Sequence, residues 1–228
     1  KAAENAKAAG FDGVQIHSAN GYLLDQFLRD NSNLRDDAYG GSIDNRIRLM
    51  REVTEAVVNV WGADRVSVRL SPNGDSQGVD DSNPEALFTA AAAALQKIGI
   101  AFLELREPGP DGTFGRTDVP KQSPAIRRVF TNRLVLNSDL TAEGGAELVA
   151  SGLADAVSYG RPFISNPDLV ERIRDGKPCL IGWGSRACSA SKLALEIKQG
   201  NGRFCCLSAL ILLLRIGPDE RLSLIFNR

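Results

Sequence analysis

"RVSVRLSPNGDSQGVDDSNPEALFTAAAAALQKIGIAFLELRE", residues 65–107, decides the fold class. It opens on a short β-branched run, "RVSVRL" (65–70), which reads as a strand. A polar loop then leads into "NPEALFTAAAAALQKIG" (83–99), a helix with Asn83 as its cap and Pro84 at the first helical position. The small side chains of "AAAAAL" (90–95) allow that helix to pack closely on a sheet. A second apolar run, "IAFLELRE" (100–107), follows at once. Strand, helix and strand in this order describe a crossover unit, and the two strands should be parallel.

The same unit repeats in both directions. Upstream, residues 1–9 read as the end of an amphipathic helix, "FDGVQIH" (11–17) as a strand, and "SIDNRIRLMREVTEAVVNVWG" (42–62) as a helix capped by Ser42. Ile43, Ile47, Met50, Val53 and Val57 fall on one face of that helix. Downstream come the helix "SPAIRRVF" (123–130), the strand "RLVLNSD" (133–139), the helix "TAEGGAELVAS" (141–151), the strand "ADAVSYG" (154–160) and the helix "NPDLVERIRDG" (166–176), opened by Asn and Pro and closed by Gly.

Five successive βα units imply a parallel α/β sheet, either doubly wound or a barrel. Polar residues collect at the strand ends: His17, Arg69, Glu104 with Arg106, Asn137 and Arg161. Functional groups spread over several strand ends suit a barrel, whereas a doubly wound sheet gathers its ligand at one crevice. The expected fold is therefore a (β/α)8 TIM barrel, incomplete, with the last five βα units present. Residues 1–176 are expected to form this partial barrel, and 177–228 a divergent tail.

Composition narrows the function classes. With 43% hydrophobic residues the chain can bury one sizeable core, and a formal net charge of -1 argues against a nucleic-acid partner held by bulk charge. The apolar run at 209–214 is far shorter than the roughly 18–20 residues of a membrane span, so no membrane association and a cytoplasmic location are expected. Cys179, Cys188, Cys205 and Cys206 all lie in the tail and form no CxxC pair, so reduced thiols and no metal site are expected. The first residue is Lys1, and the chain reads as a fragment of a longer protein.

The chemistry concentrates in "VQIHSANGYLLDQFL" (14–28), which carries the single histidine of the chain. His17 at the strand exit and Asn20 one turn later can aim two N–H donors at one oxygen. Such donors stabilise an enolate by about 3–4 kcal/mol each in oxyanion sites. Tyr22 can then protonate the carbon beside the carbonyl. Spacing alone leaves a second reading open, in which His17 is a satisfied structural histidine and Tyr22 a half-buried aromatic.

The segment "FDGVQIHSANGYLLDQFLRDNSNLRDDAYGGSIDNRIRL" closely resembles the signature of the old yellow enzyme family, the FMN-dependent ene-reductases and NADH:flavin oxidoreductases. The resemblance continues through "RVSVRLSP", "LELREP", "LVLNSD" and "DAVSYGRPFISNPDLVERI", and covers roughly residues 1–176. It implies FMN as cofactor, NADH or NADPH as reductant, and an electrophilic alkene or nitro compound as substrate. His17 and Asn20 would hold the substrate oxygen and Tyr22 would donate the proton. Arg69 would lie against the flavin ring, with an ion pair to Glu104 or Glu107 as its competing role. Asn137, Ser138, Gly160 and Arg161 would form the phosphate end, with a surface salt bridge as the competing role of Arg161.

The sequence also departs from the family pattern. Ser138 stands where a glycine is usual in many relatives, and Asp139 brings a carboxylate near the expected phosphate. If the first strand corresponds to the family's fourth, three βα units and several flavin-ring contacts belong upstream of Lys1. After Pro178 the family's glycine-rich segment is missing. Two other readings follow: a catalytically inactive fragment or pseudoenzyme, and a non-flavin phosphate-binding barrel such as an aldolase. The latter needs a Schiff-base lysine at a strand end, and Lys97 and Lys121 both lie outside the expected strands.

Overall fold

The computed structural model describes residues 1–109 and 115–178, together with the backbone of 212–215 and 223–224. Helix α1 (Ala2–Ala8) precedes β1 (Val14–Ser18), after which come the short α2 (Leu23–Leu28) and α3 (Ile43–Arg46) and the long α4 (Arg48–Trp61). Then β2 (Val66–Leu70), α5 (Pro84–Ile98), β3 (Phe102–Arg106), α6 (Ser123–Val129), β4 (Arg133–Asn137), α7 (Ala142–Ala150) and β5 (Ala156–Tyr159) alternate regularly. Two short helices, α8 (Arg161–Ser165) and α9 (Leu169–Arg174), end the α/β part.

The five strands lie side by side in chain order, each parallel to the next. A doubly wound sheet reverses its strand order at a switch point, and no reversal occurs here. Sequential parallel order is that of a barrel wall. The sheet is also strongly curved. Glu104 on β3 accepts hydrogen bonds from Gln15 on β1 at 3.0 Å and from Ser158 on β5 at 2.8 Å. Each donor sits two strands away, a separation of about 10 Å in a flat sheet. Only a wall bent toward its polar face lets both reach one carboxyl group.

Alternation along the strands divides the two faces. Val66, Val68, Leu70, Leu103, Leu105, Leu134 and Leu136 turn toward the helices and join one core with Leu87, Phe88, Ala91, Ala92 and Leu95 of α5. Each fully buried Leu or Phe contributes about 1.5–3 kcal/mol. The Asn83 side chain caps α5 by accepting from the Ala86 N–H at 3.2 Å, and Gly99 closes it in the left-handed conformation at φ 79°. The opposite, concave face carries Gln15, His17, Ser67, Arg69, Glu104, Arg106, Asn137 and Ser158, in register across the sheet.

Three local expectations need correction. The helix expected over 42–62 is divided at Ile47, although Ser42 does cap its first part by accepting from the Asn45 N–H. The segment after Gly160 contains a helix, α8, that is too short to show an apolar period. Asn166 does not open the final helix: α9 begins at Leu169, and the Asn166 amide instead donates to the Pro162 carbonyl at 2.8 Å, closing α8.

Beyond β5 the sheet is extended by the antiparallel strands β6 (Leu212–Arg215) and β7 (Ser223–Leu224). The four cysteines lie outside the described residues. Among the described residues, no helix is long and apolar enough to cross a membrane.

Candidate active site

The C-terminal ends of β1 to β5 open onto one rim, and the loop after β1 is fixed there by a buried network. Asn20 adopts φ 57° and Gly21 φ 74°. A side chain at Gly21 would put its Cβ 2.2 Å from the Ser76 carbonyl oxygen, so only glycine lets the loop pass. The Gly21 N–H donates to Asp25 at 2.9 Å, and Asp25 is paired with Arg29 at 2.8 Å, both side chains being inaccessible. Arg29 donates onward to the carbonyls of Ser71 (2.6 Å) and Pro72 (3.3 Å) and stacks 4.6 Å from the Phe88 ring centre. The Ser71 hydroxyl accepts from the Asn20 N–H at 2.7 Å and contacts Asp25 at 3.3 Å. The β1 and β2 loops are thus tied together, and the Asn20–Tyr22 turn is held from beneath.

The network presents three side chains. The exposed His17 ring lies 5.3 Å from that of Tyr22, tilted by 58°, and makes no hydrogen bond to a described residue. Partial burial holds its pKa below the ordinary imidazole value; the nearby Arg69 charge adds to the shift and Asp25 opposes it. The ring is therefore neutral at pH 7, with one N–H to donate. Tyr22 is 56% exposed. Asn20 has its Oδ1 buried without a partner, and its Nδ2 makes no hydrogen bond to a described residue.

Arg69 pairs in register with His17 on the neighbouring strand and is buried. Its Nη2 donates to Asn137 Oδ1 at 2.9 Å, while its Nε lies 3.8 Å from Glu104 and has no hydrogen-bond partner. The competing ion pair with Glu104 is thus present at long range. Glu107 is committed elsewhere, accepting from the N–H groups of Gln122 and Ser123 and from the Ser123 hydroxyl at the start of α6.

At the far end of the rim, Asn137 also donates to the Ser158 carbonyl at 3.0 Å, and the Ser138 hydroxyl donates to the Glu107 carbonyl at 2.5 Å. A Cβ at Gly160 would meet no atom of the described residues within 4 Å. Arg161 is ion-paired with Asp139. The competing salt bridge is therefore real, and a phosphate would meet a cation already shared with a carboxylate. Arg106, half-buried between Arg69 and Arg161, has its pKa lowered to about 10, first by burial and then by the Arg69 charge.

Asp25, Arg29 and Ser71 were not singled out from the sequence. Asp25 and Arg29 carry the signal of an i, i+4 acid–base pair, but such pairs ordinarily lie on solvated helix faces.

The residues present fit the ring end of FMN: a buried, incompletely bonded guanidinium faces the concave side beside an exposed imidazole and phenol. No group of three or more potential metal ligands occurs among the described residues.

Comparison with known proteins bears on the fold and the family. The 12-oxophytodienoate reductase 2 of Arabidopsis thaliana is 43% identical over 182 residues, covering 78% of this chain and 47% of the relative. A putative 12-oxophytodienoate reductase 11 of Oryza sativa subsp. japonica is 45% identical over 177 residues, covering 78% and 48%. Among solved structures, an old yellow enzyme homologue from Zymomonas mobilis superposes with a TM-score of 0.77 at 56% identity, covering 78% of this chain and 50% of that one. Morphinone reductase in complex with tetrahydroNAD gives a TM-score of 0.74 at 39% identity, covering 81% and 49%. The chain spans about half the length of these relatives. The NADH:flavin oxidoreductase / NADH oxidase family matches residues 1–179, and the chain belongs to that family.

Proposed function

We propose that this chain contributes the substrate side and part of the cofactor site of an FMN-dependent ene-reductase, drawing on NADH or NADPH and reducing the activated C=C bond of enones or nitroalkenes. Residues 1–176 are its FMN-binding part, and a cytoplasmic location belongs to the same reading. One observation carries it: an exposed His17 ring 5.3 Å from the tilted ring of an exposed Tyr22, in register beside a buried Arg69.

Bound FMN supplies the hydride chemistry, from the nicotinamide to the β-carbon of the substrate. The neutral His17 ring and the Asn20 amide donate to the carbonyl or nitro oxygen and draw charge toward it. The Tyr22 O–H gives its proton to the α-carbon, and solvent reprotonates the phenolate. Arg69 holds fixed positive charge at the flavin ring, and Asn137 orients it at 2.9 Å. Asn137, Ser138, Gly160 and Arg161 line the phosphate end.

An aldolase reading gains no support, because Lys97 lies on α5 and Lys121 in a loop. An inactive remnant is not favoured by a site whose loop is fixed through a buried ion pair.

The test is the visible spectrum of the purified protein after FMN is added and excess removed, followed by enone-dependent oxidation of NADH or NADPH. A retained, shifted flavin band and turnover of a cyclic enone are expected. Tyr22→Phe should keep the band and lose about 10²–10⁴ in rate. A protein that retains no flavin and reduces no enone would overturn the reading.

A further inference from the structure

Strands β1 to β5 hold a single acidic residue, Glu104, at the middle of β3. Its side chain is 0% exposed, and a charge taken so far from water is costly unless other groups hold it. Three groups converge on it from three different strands. Gln15 on β1 donates to Oε2 at 3.0 Å, the Ser158 hydroxyl on β5 donates to Oε1 at 2.8 Å, and the Arg69 Nε on β2 stands 3.8 Å from Oε2. With both oxygens accepting, the carboxyl group acts as an ionised carboxylate does.

Strand register places that charge relative to the site. His17, Arg69 and Glu104 are successive partners across β1, β2 and β3. Arg69 reaches from β2 to Asn137 on β4, so its side chain crosses the strand that carries Glu104. The Arg69 Nε makes no hydrogen bond, and at 3.8 Å the carboxylate offsets the guanidinium charge without engaging that donor. In a buried place such an interaction is weakly screened. The cation assigned to the flavin ring is therefore half of an ion pair rather than an isolated charge. Reduced flavin carries more negative charge than oxidised flavin, so Arg69 favours the reduced form and Glu104 opposes it.

We propose that Glu104 is a fixed buried counter-charge to Arg69 that lowers the reduction potential of the bound flavin, and so keeps the reduced cofactor a strong hydride donor to the electrophile. This assignment rests on the flavin reading. Glu104 touches none of the reacting atoms and is a positioning residue: it sets the charge that Arg69 presents. Gln15 and Ser158 hold the carboxylate in place from the two sides of the curved sheet.

The test is the midpoint potential of bound FMN, measured anaerobically against a reference dye for the wild-type protein, Glu104→Gln and Glu104→Asp, with thermal melts to check that each folds. Glutamine keeps the shape and can still pair with Gln15 and Ser158, but removes the charge. Glu104→Gln should raise the ratio of reduced-flavin to oxidised-flavin affinity by at least about tenfold, a positive shift of about 30 mV for a two-electron couple. Glu104→Asp keeps the charge and should stay near the wild-type potential. Stopped-flow rates supply a second readout. Reduction of the flavin by NADPH should become faster in Glu104→Gln and its reoxidation by a cyclic enone slower, whereas a merely structural defect slows both. Should the glutamine variant fail to fold, Glu104→Met carries the same loss of charge. An unchanged or lowered potential, an equal shift in the aspartate variant, or a folded glutamine variant that no longer binds FMN would overturn the assignment while leaving the flavin reading intact. A wild-type protein that neither binds flavin nor reduces an enone would remove both.

Discussion

Arg69 donates from Nη2 to Oδ1 of Asn137 at 2.9 Å, a bond that joins β2 to β4 over the intervening β3. Asn137 completes the link by donating to the Ser158 carbonyl on β5. The guanidinium is therefore positioned by the curvature of the sheet rather than by a neighbour on its own strand. Asn137→Ala removes the acceptor and leaves a buried donor unsatisfied, at a cost of about 1–3 kcal/mol. Urea unfolding should register that loss, and flavin affinity should fall with it. Unchanged stability would mean that Arg69 finds its support elsewhere.

Asp25 and Arg29 form a second buried pair, with side chains 0% and 1% exposed. Removing one partner strands a charge, so Asp25→Ala should cost about 3–5 kcal/mol in urea unfolding. Replacing both, as Asp25→Leu with Arg29→Met, should recover much of that stability, since well-packed apolar residues often match a buried ion pair. The same double variant loses the acceptor for the Gly21 N–H and the donors to Ser71 and Pro72, so enone reduction should stay impaired. Recovery of both properties would show that the pair serves stability alone.

The lone histidine makes its own titration directly readable. Burial and Arg69 lower the His17 pKa relative to the unfolded chain. Between the folded and unfolded values the unfolded state binds more protons, so this group's contribution to stability is complete above about pH 6.5 and declines as pH falls through the folded value. An NMR titration of the imidazole C–H resonances should give a midpoint below 6.5, and Arg69→Met should move it upward. A midpoint at or above the model-peptide value would refute the electrostatic account of the site.

Much of this organisation was legible in the sequence because it rests on periodicity. Strand runs such as 65–70 and the Asn83–Pro84 helix start carry local signals, and five repeats of one unit leave few topologies. What was not legible depends on encounters between distant segments. Arg46 is buried and ion-paired with Asp81, a partner 35 residues away that no local pattern points to. Asp139 beside Arg161 was recognisable as a carboxylate near the phosphate end, but the ion pair itself needs β4 and β5 side by side. Asn166 looked like a cap because Asn-Pro usually opens a helix; its amide was instead captured by the carbonyl of Pro162, in a helix too short to announce itself.

Two glycines of the same backbone class separate strain from obstruction. Gly21 and Gly41 have φ 74° and 77°. An alanine at Gly41 would meet nothing within 4 Å, so Gly41→Ala should cost only the left-handed penalty of about 1–2 kcal/mol. At Gly21 the added carbon would stand 2.2 Å from the Ser76 carbonyl oxygen and 3.0 Å from the Gln77 side chain. Backbone cannot yield there as a flexible side chain would, so the turn itself has to move. That turn carries Asn20 and Tyr22 on either side of the glycine. Gly21→Ala should therefore destabilise more than Gly41→Ala and, unlike it, reduce kcat for enone reduction, as substrate donor and proton donor are displaced together. Equal effects of the two variants on stability and on kcat would contradict the view that the β1 loop is held in place for the chemistry.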